Sequence, residues 1–69
     1  MKREYRTQEQ LEEILEDMSN GNWSDSAKNC VKYGFYASDF RRNEETIMAY
    51  TNDIYDIVEL CEMAQKLRK

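Results

Sequence analysis

The sequence predicts an all-α protein, a compact three-helix bundle in which two short helices pack on one long C-terminal helix. Three observations support this fold class. Apolar residues recur at helical spacing in three separate stretches of the chain. The chain has no proline, and its two glycines, Gly21 and Gly34, separate those stretches at points where a helix can end. The length of 69 residues suits one small domain over residues 1–69.

The first predicted helix covers residues 8–19. Thr7 and Gln10 have the spacing of a capping box, in which each side chain accepts a hydrogen bond from the other residue's backbone N–H. Gly21 follows the helix, and glycine readily adopts the left-handed backbone that closes a helix C-terminus. The apolar residues lie three or four positions apart, as on one buried helix face: Leu11, Ile14, Leu15 and Met18.

The second predicted helix covers residues 23–33, begins near the possible cap residues Asn22 and Ser24 and ends at Gly34. A strand over residues 30–37 is the competing interpretation, because valine, phenylalanine and tyrosine favour strands. The chain offers no second strand to pair with it, which favours the helix. The apolar residues of this segment again have helical spacing: Trp23, Ala27, Cys30 and Val31.

The third predicted helix covers residues 38–67, a stretch with neither glycine nor proline. Ser38 is its expected N-cap, and Asp39 lies in the first turn, where a negative charge is favourable. A new helix start at Asn43 or a kink near residues 51–53 is the alternative, because polar residues there weaken the helix. We expect the first two helices to bury one apolar stripe of this helix: Phe40, Ile47, Tyr50, Ile54, Ile57, Val58, Cys61 and Ala64.

The two cysteines, Cys30 and Cys61, both fall on predicted apolar faces. We therefore expect buried free thiols, with a disulfide between them as the alternative. Residues 1–20 are charged throughout and contain no apolar run suited to a signal peptide or a membrane helix. These features predict a cytoplasmic protein that does not enter a membrane.

The composition argues against catalysis. The sequence has no histidine, the commonest general base and metal ligand. Two cysteines far apart in the chain do not supply the four locally paired ligands of a zinc site, and two glycines do not make a phosphate-binding loop. We expect no enzymatic activity, no cofactor and no metal site.

The charge distribution predicts a binding partner. The net charge is −4, and eleven of the fourteen acidic residues lie in two stretches without lysine or arginine, five in residues 8–19 and six in residues 44–62. Such a surface favours another protein with a basic surface, so an inhibitor or adaptor that masks a nucleic-acid-binding groove is the leading hypothesis. Two tyrosines are added as interface anchors. The candidate partner-binding residues are Glu9, Glu12, Glu13, Glu16, Asp17, Tyr36, Tyr55, Asp56, Glu59 and Glu62.

Two other functions remain open from the sequence. Residues 23–33 and the start of the third helix have the layout of a helix-turn-helix, in which Lys28, Lys32, Arg41 and Arg42 would contact DNA. The negative net charge weighs against direct nucleic-acid binding, and ion pairs with neighbouring acids are the competing role for the two arginines. The third hypothesis is a dimeric structural module, because a small core gains stability from self-association.

Overall fold

Five α-helices make up the computed structural model, which describes residues 7–68. Residues 1–6 and 69, which the predicted domain includes, lie outside the described residues. No strand occurs in the described part of the chain, and the all-α prediction is confirmed. The helices are α1 (Gln8–Ser19), α2 (Trp23–Tyr33), α3 (Ala37–Arg42), α4 (Glu44–Met48) and α5 (Ile54–Leu67).

The first two helices have the predicted bounds, and local signals define their ends. The Thr7 hydroxyl accepts a hydrogen bond from the Gln10 N–H at 3.2 Å, and the Gln10 side-chain oxygen accepts one from the Thr7 N–H at 3.0 Å. This is the predicted capping box. Gly21 and Gly34 have φ angles of +86° and +76°, so each supplies the left-handed backbone that follows α1 and α2. The alternative strand over residues 30–37 does not form, because residues 30–33 belong to α2.

The prediction of one long helix over residues 38–67 is wrong, because the chain forms three helices there. The first break is at Asn43, whose φ of −119° and ψ of 39° lie outside the helical region. Its side-chain amide donates a 2.7 Å hydrogen bond to the Asp39 carbonyl, a local bond that competes with the helical pattern. The predicted N-cap is also wrong: α3 begins at Ala37, and the Asp39 carboxylate accepts from the Tyr36 N–H at 3.0 Å.

The second break lies between α4 and α5, where the sequence offered a kink as the alternative. The Thr51 hydroxyl accepts a hydrogen bond from the Asp53 N–H at 3.1 Å and donates one to the Asp56 carboxylate at 2.6 Å. Asp53 is the N-cap of α5, and its carboxylate accepts from the Tyr55 N–H at 3.0 Å. The side chains of Thr51 and Asp53 therefore begin α5 without glycine or proline.

The core lies around α2, which packs against both α1 and α5, while α3 contacts α4 and α5. The Ser26 hydroxyl, fully buried, donates a 2.7 Å hydrogen bond to the Ile14 carbonyl and so fixes α2 against α1. The rings of Phe35 and Phe40 lie 5.7 Å apart in the same core. The buried apolar residues are Leu11, Ile14, Leu15, Met18, Ala27, Cys30, Phe35, Phe40, Ile47, Ile57, Leu60 and Ala64.

Two members of the predicted apolar stripe are exposed, and two more, Tyr50 and Cys61, are half-buried against the core. Ile54 is 59% exposed and Val58 is 49% exposed, so their assignment to the core was wrong. The breaks before α5 reset the helical phase, so that α5 buries the predicted Ile57 and Ala64 together with Leu60, which the predicted stripe did not include. No helix in residues 7–68 is long and apolar enough to cross a bilayer.

Candidate functional site

The outer side of α1 carries a shallow depression that is lined only by acidic residues. Its volume is about 330 Å³. Carboxylates three or four positions apart on a helix are neighbours and repel one another, so this surface favours the approach of positive charge. The lining residues are Glu9, Glu12, Glu13, Glu16 and Asp17.

Two of these carboxylates also hold α2. The Tyr33 hydroxyl donates to the two Glu13 oxygens at 3.1 and 3.2 Å. The Asn29 amide donates to Glu13 at 3.3 Å and to Asp17 at 3.2 Å. Glu13 and Asp17 therefore stabilise the packing of α1 on α2, a role that the sequence did not reveal.

The other three carboxylates are more available. Glu9 and Glu16 are exposed and form no hydrogen bond or ion pair with any described residue. Glu12 accepts a single 3.0 Å hydrogen bond from the Gln8 amide, which also contacts the Thr46 hydroxyl on α4 at 3.1 Å. These three side chains form the part of the acidic surface that can meet a partner without disturbing the helix packing.

The predicted residues outside α1 lie on a different surface. Glu59 and Glu62 are exposed on α5 and have no partner among the described residues. Asp56 is half-buried and accepts the hydrogen bond from Thr51, so it serves the α5 N-terminus. Tyr55 is 74% exposed and Tyr36 is 51% exposed. The ten predicted residues are thus divided between the α1 depression and the surroundings of α5.

A second concave surface lies between α5 and the segment that contains α3 and α4. This apolar groove has a volume of about 770 Å³. Buried Phe35 and Phe40 belong to its lining, together with the exposed side chains of Tyr36, Ile54 and Val58. The groove was not predicted from the sequence, because Ile54 and Val58 were assigned to the core.

Arg68 closes one end of the groove. Its guanidinium donates to the Phe35 carbonyl and, at 3.3 Å, to the Cys30 carbonyl. It also stacks on the Tyr36 ring, 4.0 Å from the ring centroid. Arg68, the residue that follows α5, therefore binds the chain segment between α2 and α3 through two backbone carbonyls.

Both cysteines line the groove and are free thiols. Burial raises the pKa of the Cys30 thiol to about 12, and the nearby Cys61 adds to the rise while Arg68 opposes it. Burial also raises the pKa of Cys61, again opposed by Arg68, but this side chain is only half-buried. The arrangement disfavours thiolates, so neither cysteine is an activated nucleophile.

The four cations of the alternative DNA-binding surface are all exposed. Lys28 and Lys32 lie on α2, and Arg41 and Arg42 lie on α3. The two arginines form no ion pair with a described carboxylate, contrary to the competing role considered above. However, α3 has only six residues, less than two helical turns, which is short for a helix that must lie in the major groove.

No group of three or more potential metal ligands comes together within residues 7–68. Comparisons with protein-family models, curated proteins and solved structures find no match for this chain. A proposed function must therefore be argued from the surfaces themselves.

Proposed function

We propose that the protein is a non-enzymatic protein-binding module of the cytoplasm. Its acidic α1 surface docks on the basic surface of a partner protein and masks it. The observation that carries this proposal is the depression lined by five acidic side chains, of which Glu9 and Glu16 have no partner among the described residues. A cationic partner relieves the repulsion among these carboxylates, so binding and charge neutralisation are coupled.

A nucleic-acid-binding groove is the partner surface that this chemistry fits best. Such a groove concentrates lysine and arginine for phosphate contacts. Successive carboxylates on α1 lie one helical turn apart, roughly 5–6 Å, and can occupy several of those cations together. The protein would then act as an inhibitor or adaptor that competes with nucleic acid.

The test begins with a pull-down from a lysate of the cells in which the protein occurs and identification of the captured protein by mass spectrometry. Affinity for that protein is then measured for a Glu9→Lys, Glu12→Lys, Glu16→Lys variant, which leaves Glu13 and Asp17 in place to hold α2. We expect this reversal to abolish binding, and we expect wild-type affinity to fall steeply with salt.

The matched control reverses three exposed carboxylates outside α1 and outside the second concave surface, at Asp25, Glu45 and Glu59, so that net charge changes equally. The proposal requires the control to retain most of its affinity. Unchanged binding by the α1 variant would exclude this surface.

The second candidate function is DNA binding, and the observation in its favour is the exposure of Arg41 and Arg42 without ion pairs. It predicts a gel shift of duplex DNA at low salt that is lost on Arg41→Ala, Arg42→Ala substitution. If the intact protein shifts no duplex, this candidate is excluded.

A further inference from the structure

We propose that the apolar groove is the interface of a symmetric homodimer, in which α5 of a second copy seats against α5 and the α3–α4 segment of the first. This inference goes beyond the proposed function and does not depend on it, because the α1 depression shares no lining residue with the groove.

The first argument is that α5 carries two apolar stripes. Ile57, Leu60 and Ala64 form the inner stripe, which is buried in the core. Ile54, Val58 and Cys61, at positions i, i+4 and i+7, form a second stripe that lines the groove. The two stripes are adjacent and form one wide apolar face, of which the rest of the chain covers only the inner part.

The length of α5 is sufficient to fill the groove that this helix helps to form. The groove follows α5 from Ile54 to Gln65, about 16 Å along the helix at 1.5 Å per residue. The α5 helix of another copy has 14 residues and the same outer stripe, which supplies apolar side chains over about 10 Å of that length, from Ile54 to Cys61. The helix that lines the groove and the helix that would fill it are both α5, as an isologous two-fold interface requires.

The third argument is charge complementarity. The charged residues that line the groove are Arg41, Glu44, Glu62 and Arg68, two of each sign, although the chain as a whole is acidic. A uniformly basic foreign segment would meet Arg41 inside the groove. A second copy instead brings the same mixed set, so each protomer can offer its Arg41 to a carboxylate of its partner. The like-charge α1 surfaces stay outside the interface.

The size of the interface is also reasonable. A standard interface buries about 800 Å² per partner. The accessible surface of the chain is 5117 Å², so such an interface would cover about one sixth of it. Three of the six large exposed apolar side chains, Tyr36, Ile54 and Val58, line the groove and would be covered.

The test measures the mass of the full chain by light scattering after gel filtration, over concentrations from low micromolar to submillimolar. We expect a species of twice the 8.3 kDa chain mass, in equilibrium with monomer at the lowest concentrations. Val58→Asp should shift the dissociation constant upward by at least a hundredfold. The matched control is Met48→Asp, because Met48 is 61% exposed but does not line the groove.

A second variant keeps the test valid if Val58→Asp fails to fold. Ile54→Asp places a carboxylate in the first turn of α5, where the helix dipole favours it, so folding is retained while the groove edge becomes charged. Circular dichroism reports the helix content of each variant. A wild-type chain that stays monomeric at the highest concentration overturns the proposal. So does a dimer that survives both groove substitutions or dissociates only with Met48→Asp.

Discussion

The two sides of α2 are covered in different ways. On the α1 side, polar bonds link the helices: Ser26 donates to the Ile14 carbonyl, and Glu13 and Asp17 accept from Asn29 and Tyr33. On the α5 side, the packing is apolar apart from the bond from Arg68 to the Cys30 carbonyl, and an apolar groove stays open beside it. The α1–α2 pair is therefore a closed unit, whereas α5 buries its inner face and leaves its outer face exposed to solvent.

The sharpest way to test this comparison is to truncate one residue on each face of α5. Leu60 is fully buried, so Leu60→Ala should lower the free energy of unfolding by about 2–5 kcal/mol through lost burial and a residual cavity. Val58→Ala on the outer face should cost less than about 0.5 kcal/mol in the monomer. Urea denaturation at low protein concentration measures the free energy of unfolding of both variants. Equal losses would mean that the outer face is packed in the monomer.

The next largest effect is expected at the bridge between α5 and the α2–α3 link. Arg68→Ala removes the hydrogen bonds to the Phe35 and Cys30 carbonyls and the stacking on Tyr36, at a cost of about 1.5–3 kcal/mol. Arg68→Lys serves as the control, because lysine keeps the charge but cannot bridge both carbonyls in the same way. Hydrogen exchange should report faster opening around residues 34–36 in both variants, with the smaller effect in Arg68→Lys. Unaltered exchange there would show that the bridge is dispensable.

A smaller effect is expected on the closed side of the molecule. Ser26→Ala removes the buried hydrogen bond to the Ile14 carbonyl and should cost about 1 kcal/mol. Ser24→Ala, on the exposed surface of the same helix, is the matched control. Thermal or urea unfolding compares the two. A Ser26→Ala protein as stable as the control would mean that apolar packing alone holds α1 to α2.

The smallest structural disturbance comes from labelling the thiols. With a pKa of about 12, Cys30 stays a neutral thiol up to pH 9, and its thiolate fraction rises tenfold for each pH unit below the pKa. We expect a disulfide reagent at pH 8 to label Cys61 first in the folded protein and both cysteines in denaturant. Cys61→Ser should remove the rapid labelling. Rapid labelling that survives this substitution would show that the buried Cys30 becomes accessible to solvent in the folded protein.

The sequence was sufficient to predict the bounds of those helices whose ends are determined by neighbouring residues. Thr7, Gln10, Gly21 and Gly34 each act within one turn, so α1 and α2 were predicted with their observed bounds. The breaks in the C-terminal half were harder because they depend on side-chain bonds. Asn43 is compatible with a helix interior by propensity, so the sequence offered it only as an alternative helix start, and its bond to the Asp39 carbonyl shows that it ends α3.

The two candidate functional surfaces also differ in whether the sequence could predict them. The α1 depression follows from the spacing of Glu9, Glu12 and Glu16 on a correctly predicted helix. The groove could not be predicted, because the exposure of Ile54 and Val58 depends on how α5 is rotated after two breaks. The role of Arg68 depends on the tertiary fold, which brings α5 to the carbonyls of residues 30 and 35.

The Arg68 bridge also bears on the order of events during synthesis. The bond between Ser26 and Ile14 spans 12 residues, whereas Arg68 reaches Phe35 across 33. A ribosome delivers the chain from its N-terminus, so the α1–α2 hairpin can form while α5 is still inside the exit tunnel. Until α5 emerges, the Phe35 carbonyl lacks the Arg68 guanidinium, and α3 lacks one of the two helices that it contacts.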